Sequence, residues 1–299
     1  RREAMPFETW LKHSKTSKDP RKDLLSINKL CFPAVAMMED NTCPSVDVSS
    51  PRTREEQDWS VNLDASQLAE YILQDLHDCY YTPRFKYVAS PILEVVVSPI
   101  GVQSIEVQGD SIKGEVYVDA SGTGRVLVGA IGALVEDQSH RFINDRAIYG
   151  TVPCAHKINH VRSLTATSGW IWEIPLQHET SVGYVYSSKF ISEEDAVIEL
   201  EKEYPDIVGT KLIPFSPDQV PMPWTKNVVA LGVAQGFIDP LAANVLLQTK
   251  THIQALIREL HSPALGYVSA AKFNKACNDH REAITSFVEL HYRGCVRRD

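Results

Sequence analysis

The chain has 299 residues with a formal net charge of −8 and a pI near 5.7, a balance that argues against nucleic acid and against an anionic membrane surface as partners. A hydrophobic content of 43% and a charged content of 23% are ordinary globular values, enough for a substantial core in one large or two modest domains. The six cysteines include no Cys-x-x-Cys pair, His140, His156, His160 and His178 are too scattered for a metal site, and no apolar run reaches membrane-spanning length. Free thiols and the lack of an apolar leader point to a reducing, cytoplasmic setting.

Residues 1–62 are polar and irregular, with Lys12, Lys15, Lys18, Arg21 and Lys22 in one cluster, and read as connecting structure or disorder. Asp64 with Gln67 three residues on opens a helix whose Leu68, Ile72, Leu73 and Leu76 recur at helical spacing. Segments 91–97, 101–107 and 112–119 are rich in Val and Ile and predict a three-stranded meander, turning at Gln108-Gly109-Asp110. The third segment runs into a turn of small residues, Asp119-Ala120-Ser121-Gly122, which lets a backbone or ligand approach closely. Gly122-Thr123-Gly124 begins like a dinucleotide fingerprint, but position 127, where the third glycine belongs, is Leu127, so it is not read as a phosphate loop.

After a connecting region, 170–175 and 181–188 predict two strands, and Ser192 with Asp195 caps a helix ending near Pro205. Four prolines at 214, 217, 221 and 223 suggest that 206–227 is extended loop. A short buried strand at 227–232 flows into Val233-Ala234-Gln235-Gly236-Phe237-Ile238-Asp239-Pro240-Leu241. Two helices follow, one holding Leu246, Leu247, Ile253, Leu256, Ile257 and Leu260, the other spanning 269–291 with Phe273, Ile284, Phe287 and Val288 inward.

The most specific motif is Gly169-Trp170-Ile171-Trp172-Glu173-Ile174-Pro175. On a strand, Trp170, Trp172 and Ile174 share one face and Glu173 takes the other, while Pro175 ends the ladder. Two such tryptophans are either a functional wall or simply core.

This Trp-x-Trp-x-Ile-Pro run resembles the signature of the flavin-dependent tryptophan halogenase family. Asp119-Ala120-Ser121-Gly122, Gly183-Tyr184-Val185-Tyr186-Ser187-Ser188, Gly236-Phe237-Ile238-Asp239-Pro240-Leu241 and Phe287-Val288 before His291-Tyr292 are similar to the family's further landmarks, in the same order. The resemblance implies an α/β (α+β) scaffold of the FAD-dependent monooxygenase and halogenase type, occupying residues 63–299 and lacking the N-terminal βαβ phosphate-binding unit. It implies FAD, reduced by a separate reductase, as the source of hypohalous acid for an aromatic substrate of indole, pyrrole or phenol type. The family's catalytic lysine and glycine loop have no counterpart in this sequence, so a truncated chain or a decayed one is expected, with FAD binding weak or absent.

Residue by residue, Trp170, Trp172, Ile174 and Pro175 are the expected partition between flavin and substrate. Ser121, Gly122, Gly232, Gly236, Phe237, Ile238 and Pro240 are the expected cofactor-side positions, with Val233 standing where related flavoproteins carry an aspartate. The family's Glu-Ser-Thr-Gly becomes Ala242-Ala243-Asn244-Val245. Ala242 thus takes the glutamate position without a carboxylate, and Asn244 and Val245 take the halide positions. Expected partners are a small aromatic substrate, a flavin reductase and a second copy of the chain, with no nucleic acid, membrane or metal. Besides halogenation, two alternatives stand: an inactive homologue serving as a binding module, and a flavin-dependent monooxygenase in which the tryptophans are core.

Overall fold

The computed structural model describes residues 65–79, 86–153, 161–176, 178–241, 244–262 and 266–293. The irregular segment 1–62, the Asp64 cap, Ala242 and Ala243 lie outside the described residues. Helix α1 (Ala65–Cys79) comes first, then strands β1 (Ile92–Ser98), β2 (Gly101–Val107), β3 (Asp110–Ile112) and β4 (Tyr117–Asp119). Short helix α2 (Val126–Ala130) precedes β5 (Glu136–Asp137), β6 (Arg146–Pro153), β7 (Arg162–Thr165), β8 (Gly169–Pro175) and β9 (Glu179–Tyr186). Helix α3 (Glu193–Glu203) is followed by β10 (Val208–Pro214), β11 (Asp218–Gln219), β12 (Trp224–Thr225), β13 (Val228–Ala230) and β14 (Gly236–Phe237), then by α4 (Asn244–Leu260) and α5 (Tyr267–Arg293). The fold is mixed α/β, and the described residues cluster into two compact units, those within 65–86 and 146–213 and those within 87–145 and 214–293.

The first unit is built on a five-stranded sheet of order β10-β6-β9-β8-β7. Its core face carries Ile148, Ile171, Val182, Tyr184 and Tyr186 against Ala196 and Leu200 of α3. Ser192 caps α3 as its spacing predicts, its hydroxyl accepting from the Asp195 amide at 3.1 Å. The expected loop at 206–227 is corrected here: β10, β11 and β12 lie within it, because Pro214, Pro217, Pro221 and Pro223 fall at strand ends or between strands, where no ladder N–H is needed. Strands β6 and β7 were hidden in the segment read as connection, since neither shows clean alternation of apolar and polar residues.

The second unit contains three small sheets: β1-β2-β3, β14-β11-β5 and β12-β13-β4. The predicted third strand at 112–119 is in fact two. β3 completes the meander, whereas β4, after Lys113-Gly114-Glu115, leaves it and pairs in parallel with β13, Asp119 opposite Ala230. A core of Val102, Tyr117, Leu127, Val128, Val220, Val228 and Ala230 holds this junction. Helix α4 buries a polar stripe, Asn244, Gln248 and His252, at four-residue spacing, while Leu246, Ile253 and Ile257 are exposed. Its apolar periodicity therefore marks the helix correctly but not the face it buries. Helix α5 turns Phe273, Ile284 and Val288 inward, as expected.

Candidate functional site

On β8 the alternation is as the sequence predicts. Ile171 and Glu173 are buried on the core face, and Trp170, Trp172 and Ile174 line the opposite face, half-buried. The tryptophans thus lie outside the core cluster packed against α3, while Val185, opposite Trp170, and Ala147 are buried on their own face. Glu173 is anchored by Arg162 Nε at 3.1 Å and accepts from the Tyr204 hydroxyl at 2.7 Å, and burial followed by this neighbour raises the Tyr204 pKa. On the same core face, the Tyr184 hydroxyl donates to Glu199 at 3.0 Å and accepts from the Ser168 amide at 3.0 Å.

The indole rings of Trp170 and Trp172 lie 6.1 Å apart at 57°. Directly across the ladder from Trp172 is Gly183. A Cβ at Gly183 would sit 2.0 Å from Cζ2 and 2.4 Å from Cε2 and Cη2 of that ring, so the indole lies flat in the space the missing side chain leaves. The Trp172 Nε1–H points toward Ser181 Oγ at 3.4 Å. A rigid aromatic surface results, pinned by the sheet rather than by a loop.

In the second unit, β4 and β13 run parallel and each feeds a short 3₁₀ turn, Gly122–Gly124 and Gly232–Ala234. The ends of adjacent parallel strands are where open α/β sheets seat their ligands. Arg125, at φ 43°, ties the two turns together, donating from Nε to the Ala234 carbonyl at 2.9 Å and pairing with Asp218 at 2.5 Å. Asp119 closes the first turn. One carboxylate oxygen accepts from the Ser121 amide and hydroxyl, at 2.9 and 2.6 Å, and the other from the Leu127 and Val128 amides, at 2.8 and 2.9 Å. Burial alone would raise its pKa, but these bonds bring the net value below the ordinary carboxylate range.

The expected cofactor positions fall into two groups. Ser121, Gly122, Gly232 and Gly236 are gathered at the paired turns, and both Gly122 (φ 68°) and Gly232 (φ 61°) use left-handed backbone. Ile238 instead packs with Phe142, Ile284 and Val288 in a core cluster, and the Phe237 ring meets Phe215 edge-on at 5.2 Å. Pro240 is half-buried beyond them. Asp239 is buried, accepting from the Tyr292 hydroxyl at 2.7 Å and the Leu241 amide at 2.9 Å, and burial pushes its carboxyl up to about 6. Asn244, at a halide position, spends its amide on the carbonyls of Asp239 and Leu241 at 2.9 and 2.8 Å, while the Val245 carbonyl accepts from Thr249.

Sequence reasoning missed a buried polar cluster behind the second turn. Gln235 meets His252 Nδ1 at 2.5 Å, and Cys277, free and buried, and Arg281 lie one turn apart on α5. Burial holds His252 down at about 3 and Arg281 at about 10, and lifts the Cys277 thiol to about 12. The signal available was four-residue spacing of polar residues on two helices otherwise read by their apolar ones. A Cβ on Gly236 would fall 2.6 Å from both terminal nitrogens of Arg281 and 2.5 Å from the Asp218 carbonyl, so the chain's own guanidinium fills that space.

These observations bear directly on FAD. The Leu127 and Val128 amides are taken by Asp119, the Val126 amide by Ser121 Oγ at 2.9 Å, and the room at Gly236 by Arg281. The described residues do not by themselves complete an FAD seat. Among them, no group of three His, Cys, Asp or Glu side chains is placed to hold a metal, and no helix is long and apolar enough to cross a membrane.

This mixed α/β scaffold is shared with solved flavin-dependent halogenases. The chain belongs to the tryptophan halogenase family, whose family model matches residues 4–299. It is 27% identical over 258 residues to a tryptophan 6-halogenase of Streptomyces toxytricini, covering 81% of this chain and 47% of that enzyme. It is 28% identical over 193 residues to a tryptophan 7-halogenase of Lentzea aerocolonigenes, covering 62% of this chain and 36% of that one. Among solved structures, a flavin-dependent halogenase from Brevundimonas superposes with TM-score 0.76 at 25% identity, over 95% of this chain and 57% of that chain. One from Xanthomonas campestris gives 0.74 at 26% identity, over 79% and 48%. The chain spans about half the length of the curated relatives it matches.

Proposed function

We propose that the chain is part of an enzyme that halogenates an aromatic compound of indole, pyrrole or phenol type with hypohalous acid. The single observation carrying this reading is the indole pair on the face of β8 turned away from the core, with Trp172 laid over Gly183. FAD, reduced by a separate flavin reductase, would with oxygen and halide supply the halogen oxidant in this reading. The contribution of this chain's own residues is a wall. Trp170, Trp172 and Ile174 exclude water, present a flat apolar surface to an aromatic ring, and keep it apart from the oxidising centre, while Pro175 ends the strand that carries them. Ser121, Gly122, Gly232, Gly236, Phe237, Ile238 and Pro240 form the cofactor side, and backbone amides at Asn244 and Val245 the halide side, of one halogenase-like domain over 63–299. A cytoplasmic setting and a homodimer belong to the same proposal.

A second reading, an inactive homologue retained as a binding module, is favoured by Arg281 filling the space at Gly236 and by alanine at the family's glutamate position, Ala242. Mass spectrometry separates the two. With FAD, a reductase, oxygen, bromide and indole, the complete gene product is expected to form bromoindole. Indole recovered unchanged, with the flavin reduced and reoxidised normally, supports the binding module. An oxygenated product points to a monooxygenase.

A further inference from the structure

We infer that the aromatic substrate received by the indole face carries no carboxylate, and so is not a free amino acid. This rests on the proposal that the face is the substrate wall. Register fixes which side chains share that face. Beside Trp170, Trp172 and Ile174, β7 supplies Ser163 and Thr165, β9 supplies Ser181 and the buried Val185, and β6 supplies Tyr149, Thr151 and the buried Ala147. All are neutral, and those around Trp172 include several hydroxyl groups.

The charged residues of the same strands lie elsewhere, Glu179 apart. Arg162 and Glu173 pair with each other on the core side at 3.1 Å, and Arg146 stands opposite Tyr186, which is also on that side. Glu179, the first residue of β9, shares the indole face two positions before Ser181, toward which Trp172 Nε1 points, about 7 Å along the strand. Lys211 precedes Leu212, which packs on the core side, and lies on the edge strand β10, three strands away from β8, at about 14 Å. Among the described residues of this sheet, the indole face presents no cation beside Trp172, and the charge nearest to it is the carboxylate of Glu179. A carboxylate pressed against such a surface loses hydration without gaining a counter-charge, whereas an indole N–H or a phenol O–H finds hydroxyl partners.

The test is isothermal titration of the purified 299-residue chain with indole, phenol, L-tryptophan and indole-3-acetate. Indole and phenol are expected to bind at least tenfold more tightly than L-tryptophan, and Trp172→Ala is expected to weaken indole binding at least tenfold. A second variant, Ser163→Arg, places a guanidinium directly across from Trp172 at an exposed position. It is expected to raise the preference for indole-3-acetate over indole at least tenfold. Equal or tighter binding of L-tryptophan that still depends on Trp172 overturns the inference and leaves the wall intact. Indole binding that Trp172→Ala does not alter, or no binding of any of the four compounds, overturns the wall itself.

Discussion

Replacing Gly183 with alanine is expected to destabilise the first unit by about 3 kcal/mol or more, although alanine is the better residue for an ordinary strand. The sign follows from the ring across the ladder. Three atoms of the Trp172 indole lie within 2.4 Å of the new methyl position, far inside van der Waals contact. The ring is held on its strand by a regular antiparallel pairing from Gly169 to Pro175, so it cannot retreat without leaving its rotamer or bending β8. The proof lies in the double variant. In a Trp172→Ala background the obstruction is gone, and Gly183→Ala is expected to be neutral or stabilising by about 0.5 kcal/mol. Chemical denaturation of the four proteins measures the coupling. Additive effects would show that Trp172 does not rest on Gly183.

Asp119→Asn is expected to be nearly as costly, about 3 kcal/mol, despite being almost isosteric. Both carboxylate oxygens accept from two donors each, so an amide nitrogen in place of either oxygen turns a donor toward donors. The loss would fall on the start of α2 and on the turn that sets Gly122. The pH dependence has a definite sign. The folded pKa lies below the ordinary value of about 3.9, so the stabilisation is fully present above pH 4 and is lost as pH falls through the folded value. Wild-type stability should therefore drop more steeply below pH 4 than that of Asp119→Asn, as followed by circular dichroism. Parallel acid limbs in the two proteins would remove Asp119 from this role.

Much of the fold was legible because its signals are local. The Ser192–Asp195 cap, the Gln108–Gly109 hairpin and the alternation on β8 each depend on a few neighbouring residues, and all three fall where the spacing puts them. What escaped depends on partners far away in sequence. Two-residue strands such as β11 and β12 exist only because Asp218 and Trp224 find ladder partners on β5, β13 and β14, and proline-rich composition masks them. The departure of β4 from the meander is decided by β13, more than 100 residues later.

The candidate site divides the same way. Trp170 and Trp172 announce themselves by rarity and spacing, and the glycine turns by composition. Arg125, Asp218 and Arg281, which decide how much room those turns leave, are single residues from three separate segments with no motif to connect them. The burial of polar Gln248 and His252 on α4 follows from what they meet in the second unit, and apolar periodicity cannot report it.

The claim on which the functional account turns is that an aromatic compound docks on the paired indoles of β8. Nuclear magnetic resonance of the chain with nitrogen-15 in its tryptophan indoles tests this during a titration with indole. The account predicts progressive shifts of the Trp170 and Trp172 side-chain N–H signals, with Trp224, buried in a core cluster of the other unit, unmoved. Saturating indole that leaves both β8 signals in place would contradict it.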